Sequence, residues 1–320
     1  MKKSTRIWLI VGVIFLIVGF IVAMIGFGLG GSTSLIWTKK GVKIPSDIKR
    51  TELTDIALED FTNMDLDISY YDVKFVASDK NALDIVYYSE DRKPEYRVEN
   101  DTLVIDAGQS GSFGFFVFNQ NHTNSMTVYY KQDAKLDQLQ LKFRYGNVNL
   151  TQLSGKDLLL DTAYSDVQVK DNAFDSFAIK NDYGSYKVNN LTVQEELAIS
   201  SSYCDYEFKQ AVVGSLNHDS DYGEFHYKQF VVQNGAVFKD TYGDVEYEGD
   251  LFGKTEISAD YSDFELDLDG REYSYKVDAD YGDVSINDRD MSDHAESDST
   301  TSNLIQAELS YGDFELDYTR

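Results

Sequence analysis

One short pattern carries most of the side chains that could do chemistry. A tyrosine, a small residue, a polar residue and an apolar residue recur as YGNV at Tyr145, YSDV at Tyr164, YGSY at Tyr183, YCDY at Tyr203, YGEF at Tyr222, YGDV at Tyr242, YSDF at Tyr261, YGDV at Tyr281 and YGDF at Tyr311. The second residue after the tyrosine is acidic in seven of the nine copies: Asp166, Asp205, Glu224, Asp244, Asp263, Asp283 and Asp313, with Asn147 and Ser185 in the other two. Asp72 extends the column upstream. Carboxylates repeated at fixed spacing can attract a divalent cation, and Asp166, Asp205, Asp244, Asp263, Asp283 and Asp313 are the metal candidates. Ca²⁺ demands about six to eight oxygens, more than one column offers. Each acid accepting backbone N–H groups at its own turn is the simpler expectation, with diffuse cation or cationic-peptide binding beyond it. The nine tyrosines are expected to stack as structure. As an interaction strip for sugars or a protein partner they would need exposed ring faces.

Nothing else assembles into a catalytic set. His122, His218, His226 and His294 show no ligand spacing, and His218 and His226 fall on one repeat at opposite parities. Cys204 occupies a small-residue slot, as a packed thiol would. Cys204 and His218 could meet on adjacent repeats, but a nucleophile and base also need an oxyanion site and a cleft. The expectation is a protein that is not an enzyme and carries no catalytic residue and no cofactor. A polysaccharide-acting β-helix enzyme is the alternative that a cleft with convergent, perturbed acids would support.

The elements that must position these residues follow from the same alignment. Successive tyrosines lie 19 or 20 residues apart, apart from a last step of 30. Three after the tyrosine every copy is apolar (Val148 to Phe314), five after it again apolar (Leu150 to Leu316), and the residue between is mostly polar. This is strand alternation, so each copy holds a strand, a corner at the tyrosine and a second strand. A unit this small buries its apolar face only by stacking on its neighbours. The predicted fold is all-β, a β-solenoid of 19–20-residue rungs, right-handed by default. Upstream, Leu66, Ile68, Tyr70, Val73 and Phe75 keep the register. Beyond them only strands at 83–88, 96–98, 103–105, 115–118 and 126–130 and a GQSGSFG loop are legible. The organisation read from this is a cytoplasmic tip and transmembrane helix over 1–30, a tether over 31–50, an irregular β cap over 51–135 and the regular solenoid over 136–320. The polar stretch 287–303 is expected as a mobile loop pushed out of one rung. The last rung is expected to leave an open edge able to self-associate.

Residues 7–29 carry no charge, and at about 1.5 Å per residue they reach roughly 34 Å, enough to cross a bilayer core. An uncleaved single-pass anchor is favoured over a signal peptide, whose apolar run is shorter. Lys2, Lys3 and Arg6 argue for a cytoplasmic N-terminus, while Lys39, Lys40, Lys43, Lys49 and Arg50 on the other side leave the charge rule undecided. The first 50 residues hold eight basic groups and one acid, so the net charge of -26 conceals a body of 21 basic and 54 acidic groups. Such a body repels phosphate backbones and excludes nucleic acid as a partner. One cysteine excludes an internal disulfide.

The run TVYYKQDAKLDQLQLKFRYGNVNL, followed by LLLDTAYSDVQV and FAIKNDYGSYKV, resembles the bacterial putative-adhesin family of β-strand-repeat membrane proteins, a domain of unknown function. Relatives occur in Lia-type envelope-stress operons. The resemblance spans roughly residues 60–320 and rests on repeat style, with no catalytic motif. It implies a bacterial cell-membrane protein with its N-terminus cytoplasmic and its β domain extracellular, acting as an adhesin or cell-envelope stress component. Envelope proteins are then the expected partners, and capture of cationic antimicrobial peptides or divalent cations by the acidic surface is the alternative.

Overall fold

The computed structural model describes residues 3–29, 36–38, 41–43, 49–88, 93–108, 123–269, 273–298 and 301–318, which fall into two units. The first contains a helix, Lys3–Gly28, where the uncharged run makes an internally hydrogen-bonded backbone the favoured state. Among the described residues no helix is long and apolar enough to cross a membrane. The segment expected as a plain tether holds a small antiparallel hairpin, Ile36–Thr38 with Gly41–Lys43.

The second unit is a stack of parallel rungs. Residues aligned on their tyrosines in sequence are partners in space: Val148 pairs with Val167 and Leu150 with Val169, Tyr206 with Phe225 and Phe208 with Tyr227. Strand pairing continues without a break through Ser154–Asp221, across corners at which single residues such as Tyr164, Tyr183 and Tyr203 leave the extended conformation. The columns four before, three after and five after the tyrosine all point inward and are buried, His218 among them. Aromatic rings file through this core, with Tyr186, Tyr206 and Phe225 stacked at 4.8 and 4.7 Å. Parallel ladders buried on their inner face and wound on themselves leave free edges only at the two ends of the stack.

Both ends depart from sequence order. The Tyr70 rung lies directly against the Tyr145 rung, Leu66 opposite Leu141 and Val73 opposite Val148, so the region expected as an irregular cap begins with a regular rung. Outside it, Thr102–Ala107 and Asn124–Lys131 pair in parallel with Asn63–Ser69 and Tyr71–Ser78. Antiparallel strands from Glu95–Glu99 and Ala82–Tyr88 then cover that outer rung. Four of the five strands expected here are present; the 115–118 strand and all but the first residue of the GQSGSFG loop lie outside the described residues.

At the other end the Tyr311 rung is inserted between those of Tyr261 and Tyr281. Ala307 pairs with both Ile257 and Val277, and Phe314 with both Phe264 and Val284. The insertion expected as a loop contributes two short strands, Arg289–Asp290 and His294–Glu296, that pair antiparallel with the Tyr281 rung. The expected open edge on the last rung is therefore corrected. Both edges of the Tyr311 rung are bonded, because a fold-back strand satisfies N–H and C=O groups that a terminal rung would leave bare.

Candidate functional site: a tyrosine ladder beside an acid column

The corner tyrosines form one continuous ladder of ten rings. In space their order is Tyr70, Tyr145, Tyr164, Tyr183, Tyr203, Tyr222, Tyr242, Tyr261, Tyr311, Tyr281, with neighbouring centroids 4.7–5.0 Å apart and planes within 8° of parallel. The first nine are 41–52% exposed and the outermost, Tyr281, 81%. Each ring face lies against the next ring, so edges and hydroxyls meet solvent. Among the described residues, a ring face is left uncovered by another ladder ring only at the two ends, on the outer sides of Tyr70 and Tyr281. The phenols of Tyr70, Tyr183, Tyr222 and Tyr261 are held above their ordinary range, by desolvation first and then by the neighbouring tyrosines.

Every ladder tyrosine sits in the left-handed backbone region, with φ from 53° to 66°. That conformation costs a non-glycine residue roughly 1–2 kcal/mol. The positive φ falls on the tyrosine and not on the small residue that follows it. The small residue answers to crowding instead. A Cβ on Gly146 would stand 1.9 Å from the carbonyl oxygen of Tyr71, and one on Gly312 2.0 Å from that of Ser262. A second left-handed column, seven residues after the tyrosine at Gln152, Asp171, Asn190, Gln210 and Gln229, also escaped the sequence reading. Its signal was the recurrence of amide and acid side chains there.

Cys204 is buried in the small-residue slot, its Sγ 3.0 Å from the Ser202 carbonyl oxygen, and burial pushes the thiol up to about 11. His218 does not pair with it. Its Nδ1 lies 2.8 Å from the Tyr227 hydroxyl and its Nε2 2.7 Å from Ser220 Oγ, which donates to the buried Asp240. His226 and His294 pair with Glu246 and Asp278 at the surface, and His122 lies outside the described residues.

The acid column runs beside the ladder. Its carboxylates are tied to the neighbouring rung rather than to their own turn. Asp72 accepts from the N–H of Asn147 at 2.9 Å, Asp205 from Glu224 at 3.2 Å, Asp263 from Asp313 at 2.8 Å and Asp313 from Asp283 at 2.8 Å. Asp166 accepts from the Ser185 hydroxyl at 2.8 Å. Six rungs in succession, Asp205, Glu224, Asp244, Asp263, Asp313 and Asp283, have no neutral member. The Asp244 carboxyl is held above its usual range, by desolvation first and then by the charge of Asp263. The column does not converge on a metal point. Among the described residues, the carboxylates whose oxygens gather within 4.8 Å are Asp288, Glu315 and Asp317, outside the column.

Fold and site together define an all-β stacked-repeat protein whose surface feature is a regular side-chain ladder. The chain belongs to the Toastrack DUF4097 family, whose model matches residues 61–316. It is similar to a putative adhesin of Bacteroides fragilis, at 13% identity and a TM-score of 0.46, covering 86% of this chain and 99% of that one. A putative adhesin of Parabacteroides distasonis gives 12% identity and a TM-score of 0.49 over 85% and 98%. A putative lipid binding protein of the same organism gives 12% and 0.46 over 85% and 96%. No curated protein matches the chain.

Proposed function

We propose that this is a membrane-anchored, extracytoplasmic interaction protein, an adhesin or cell-envelope stress component, without catalytic activity. The observation that carries the reading is the ladder: ten rings on a strained backbone, nine of them held near half-exposure. The stacked rings stabilise the rungs, and the edges and hydroxyls they leave in solvent also offer a partner a continuous aromatic ridge. The helix Lys3–Gly28, in which residues 7–28 are uncharged, supports an anchor, and Lys2, Lys3 and Arg6 support a cytoplasmic tip. The acidic body makes a second reading specific. Six unbroken rungs of carboxylate favour capture of cationic peptides or divalent cations, and this reading predicts binding that fades with salt where aromatic contact persists. Protease treatment of intact cells tests the placement. Digestion of the region 51–320, with the N-terminal tip spared, is the expected result, and full protection until the cells are lysed would overturn it.

A further inference from the structure

One pair in the ladder combines a fixed ring with a free one. Tyr311 is held on both faces, by Tyr261 at 4.7 Å and Tyr281 at 4.8 Å, and its edge reaches solvent. Tyr281 stacks on Tyr311 alone and is 81% exposed. Tyr70, at the other end, also stacks on a single ladder ring but is 41% exposed, so the surrounding rungs cover more of it. The ladder rings between the ends are clamped by a neighbour on each face. Stacking alone leaves no such freedom: Tyr186 and Tyr206 lie 4.8 Å apart in the core, each 1% exposed, where close packing gives neither ring room to turn.

That combination suits one reaction of phenols. Two tyrosyl radicals couple through the ring carbons ortho to oxygen, the Cε positions, when the rings are neighbours and one can swing from a stacked to an edge-to-edge arrangement. We infer that Tyr281 and Tyr311 form an oxidative cross-linking site, joined as dityrosine by a haem peroxidase acting with hydrogen peroxide. Each phenol gives one electron to the peroxidase and its hydroxyl proton to water. One C–C bond then forms between the two Cε carbons. The hydrogens on those carbons leave as protons while both oxygens regain a proton, which restores two phenols. Hydrogen peroxide takes up the two electrons and two protons and leaves as two waters. The site is independent of whether the chain acts as an adhesin. Its consequence is local. The link spans 30 residues of chain and ties the outermost rung, with its two capping strands, to the inserted rung. The end of a stacked repeat has a rung on one side only and frays first, so a covalent tie there locks the stack.

The test treats the full chain in non-ionic detergent with a haem peroxidase and limiting hydrogen peroxide, and reads dityrosine fluorescence and the linked peptides by mass spectrometry. Tyr281–Tyr311 is expected as the main product, within one chain and in a yield independent of protein concentration, because neighbours react without an encounter. Tyr281→Phe keeps the ring without the phenol and should remove about nine-tenths of the within-chain product, while Tyr222→Phe should remove less than about a fifth. Amides of residues 274–286 should exchange roughly tenfold more slowly in the linked chain. Product spread evenly over the ladder, links between chains alone, equal loss in the two variants, or no product under conditions that couple free tyrosine would each overturn the site. Unaltered exchange in the linked chain would overturn the lock. Circular dichroism of both variants separates loss of the site from loss of the fold.

Discussion

Replacing Tyr242 isolates the two opposing terms that govern the ladder. Tyr242 is 46% exposed and stacks on Tyr222 and Tyr261, each at 4.9 Å. About half of a tyrosine's area, roughly 100 Å², is therefore buried, worth about 2.5 kcal/mol at 25 cal/mol per Å². Two stacked contacts add about 1–3 kcal/mol beyond area. Tyr242→Ala loses both and keeps the left-handed backbone, φ 58°, so a cost of about 4 kcal/mol is expected. Tyr242→Gly loses the same contacts but relieves roughly 1–2 kcal/mol of backbone strain, offset by about 0.5–1 kcal/mol of extra unfolded-state entropy. The glycine variant should therefore be the more stable of the two by roughly 1 kcal/mol, reversing the usual order for a strand. Tyr281, 81% exposed with Tyr311 alone beside it, supplies the comparison, and Tyr281→Ala should cost less than half as much as Tyr242→Ala. Urea midpoints of the full chain in detergent, read by far-UV circular dichroism, give the order. An alanine variant at position 242 more stable than the glycine one, or equal losses at 242 and 281, would refute the reasoning.

The inserted rung predicts its own cross-links. Glu265 and Glu315 are register partners, as are Ser285 and Glu315, so the cysteine pair E265C/E315C should oxidise readily while E265C/S285C, two rungs or roughly 9.6 Å apart, should not; rungs stacked in sequence order would reverse these two outcomes, and S285C/E315C, adjacent in either order, serves as the positive control. Gly223→Ala should destabilise by more than about 2 kcal/mol in the same urea assay, because its Cβ would stand 2.1 Å from the Cys204 carbonyl oxygen and backbone cannot yield cheaply; an unchanged midpoint would refute the crowding argument. Asp244 and Glu315 both hold their protons more tightly folded than unfolded, Asp244 through desolvation and then Asp263, Glu315 through desolvation and then Asp317. Their contribution to stability is present below the unfolded carboxylate range and is lost as pH rises through the raised values. Glu207, lowered by its bond to Lys209, works in the opposite direction, so the diagnostic is the difference: the rise in thermal midpoint from pH 7 to about pH 4.5 should shrink in Asp244→Asn, and an unaltered pH slope would count against the raised carboxyl.

The rung was legible because strand parity and stacking impose two periods at once. Val148, Val167 and Phe264 could be placed inside, and Asp166 and Asp263 outside, from spacing alone, and in-register pairing then follows. What spacing does not carry is the path of the chain between rungs. The Tyr311 copy bears the same inward residues as its neighbours, so no local signal says that it precedes Tyr281 in space. The segment 287–303 is acidic and nearly free of apolar residues, and its capping strands are held by backbone bonds to an otherwise bare edge, which leave little trace in side-chain type. The left-handed tyrosines were hidden for a related reason. Positive φ is read from glycine and asparagine, and here ring stacking offsets what those residues usually avoid.

The same interchangeability explains where chain order and spatial order diverge. The column two before the tyrosine is buried along its length, yet through the middle of the stack it is polar: Thr162, Asn181, Ser201, Ser220 and Asp240. Thr162 bonds Asn181 and Tyr186 at 2.7 Å, and Ser220 links His218 to Asp240. Each bond joins a rung to itself or to a particular neighbour. Exchanging two of these rungs would strand buried donors and acceptors, at about 1–3 kcal/mol for each group. Past Asp240 the column reads Ala259, Leu309 and Ala279 in space, all apolar, and a change of order there breaks no hydrogen bond between side chains of that column. There the chain is free to fold its last rung inward, where both edges are paired, and to leave the outermost position to a rung that carries its own capping strands. The bonded pairs Thr162–Asn181 and Ser220–Asp240 thus favour the observed order of their own rungs, and at the apolar end of the column no such bond opposes the exchange that closes the edge.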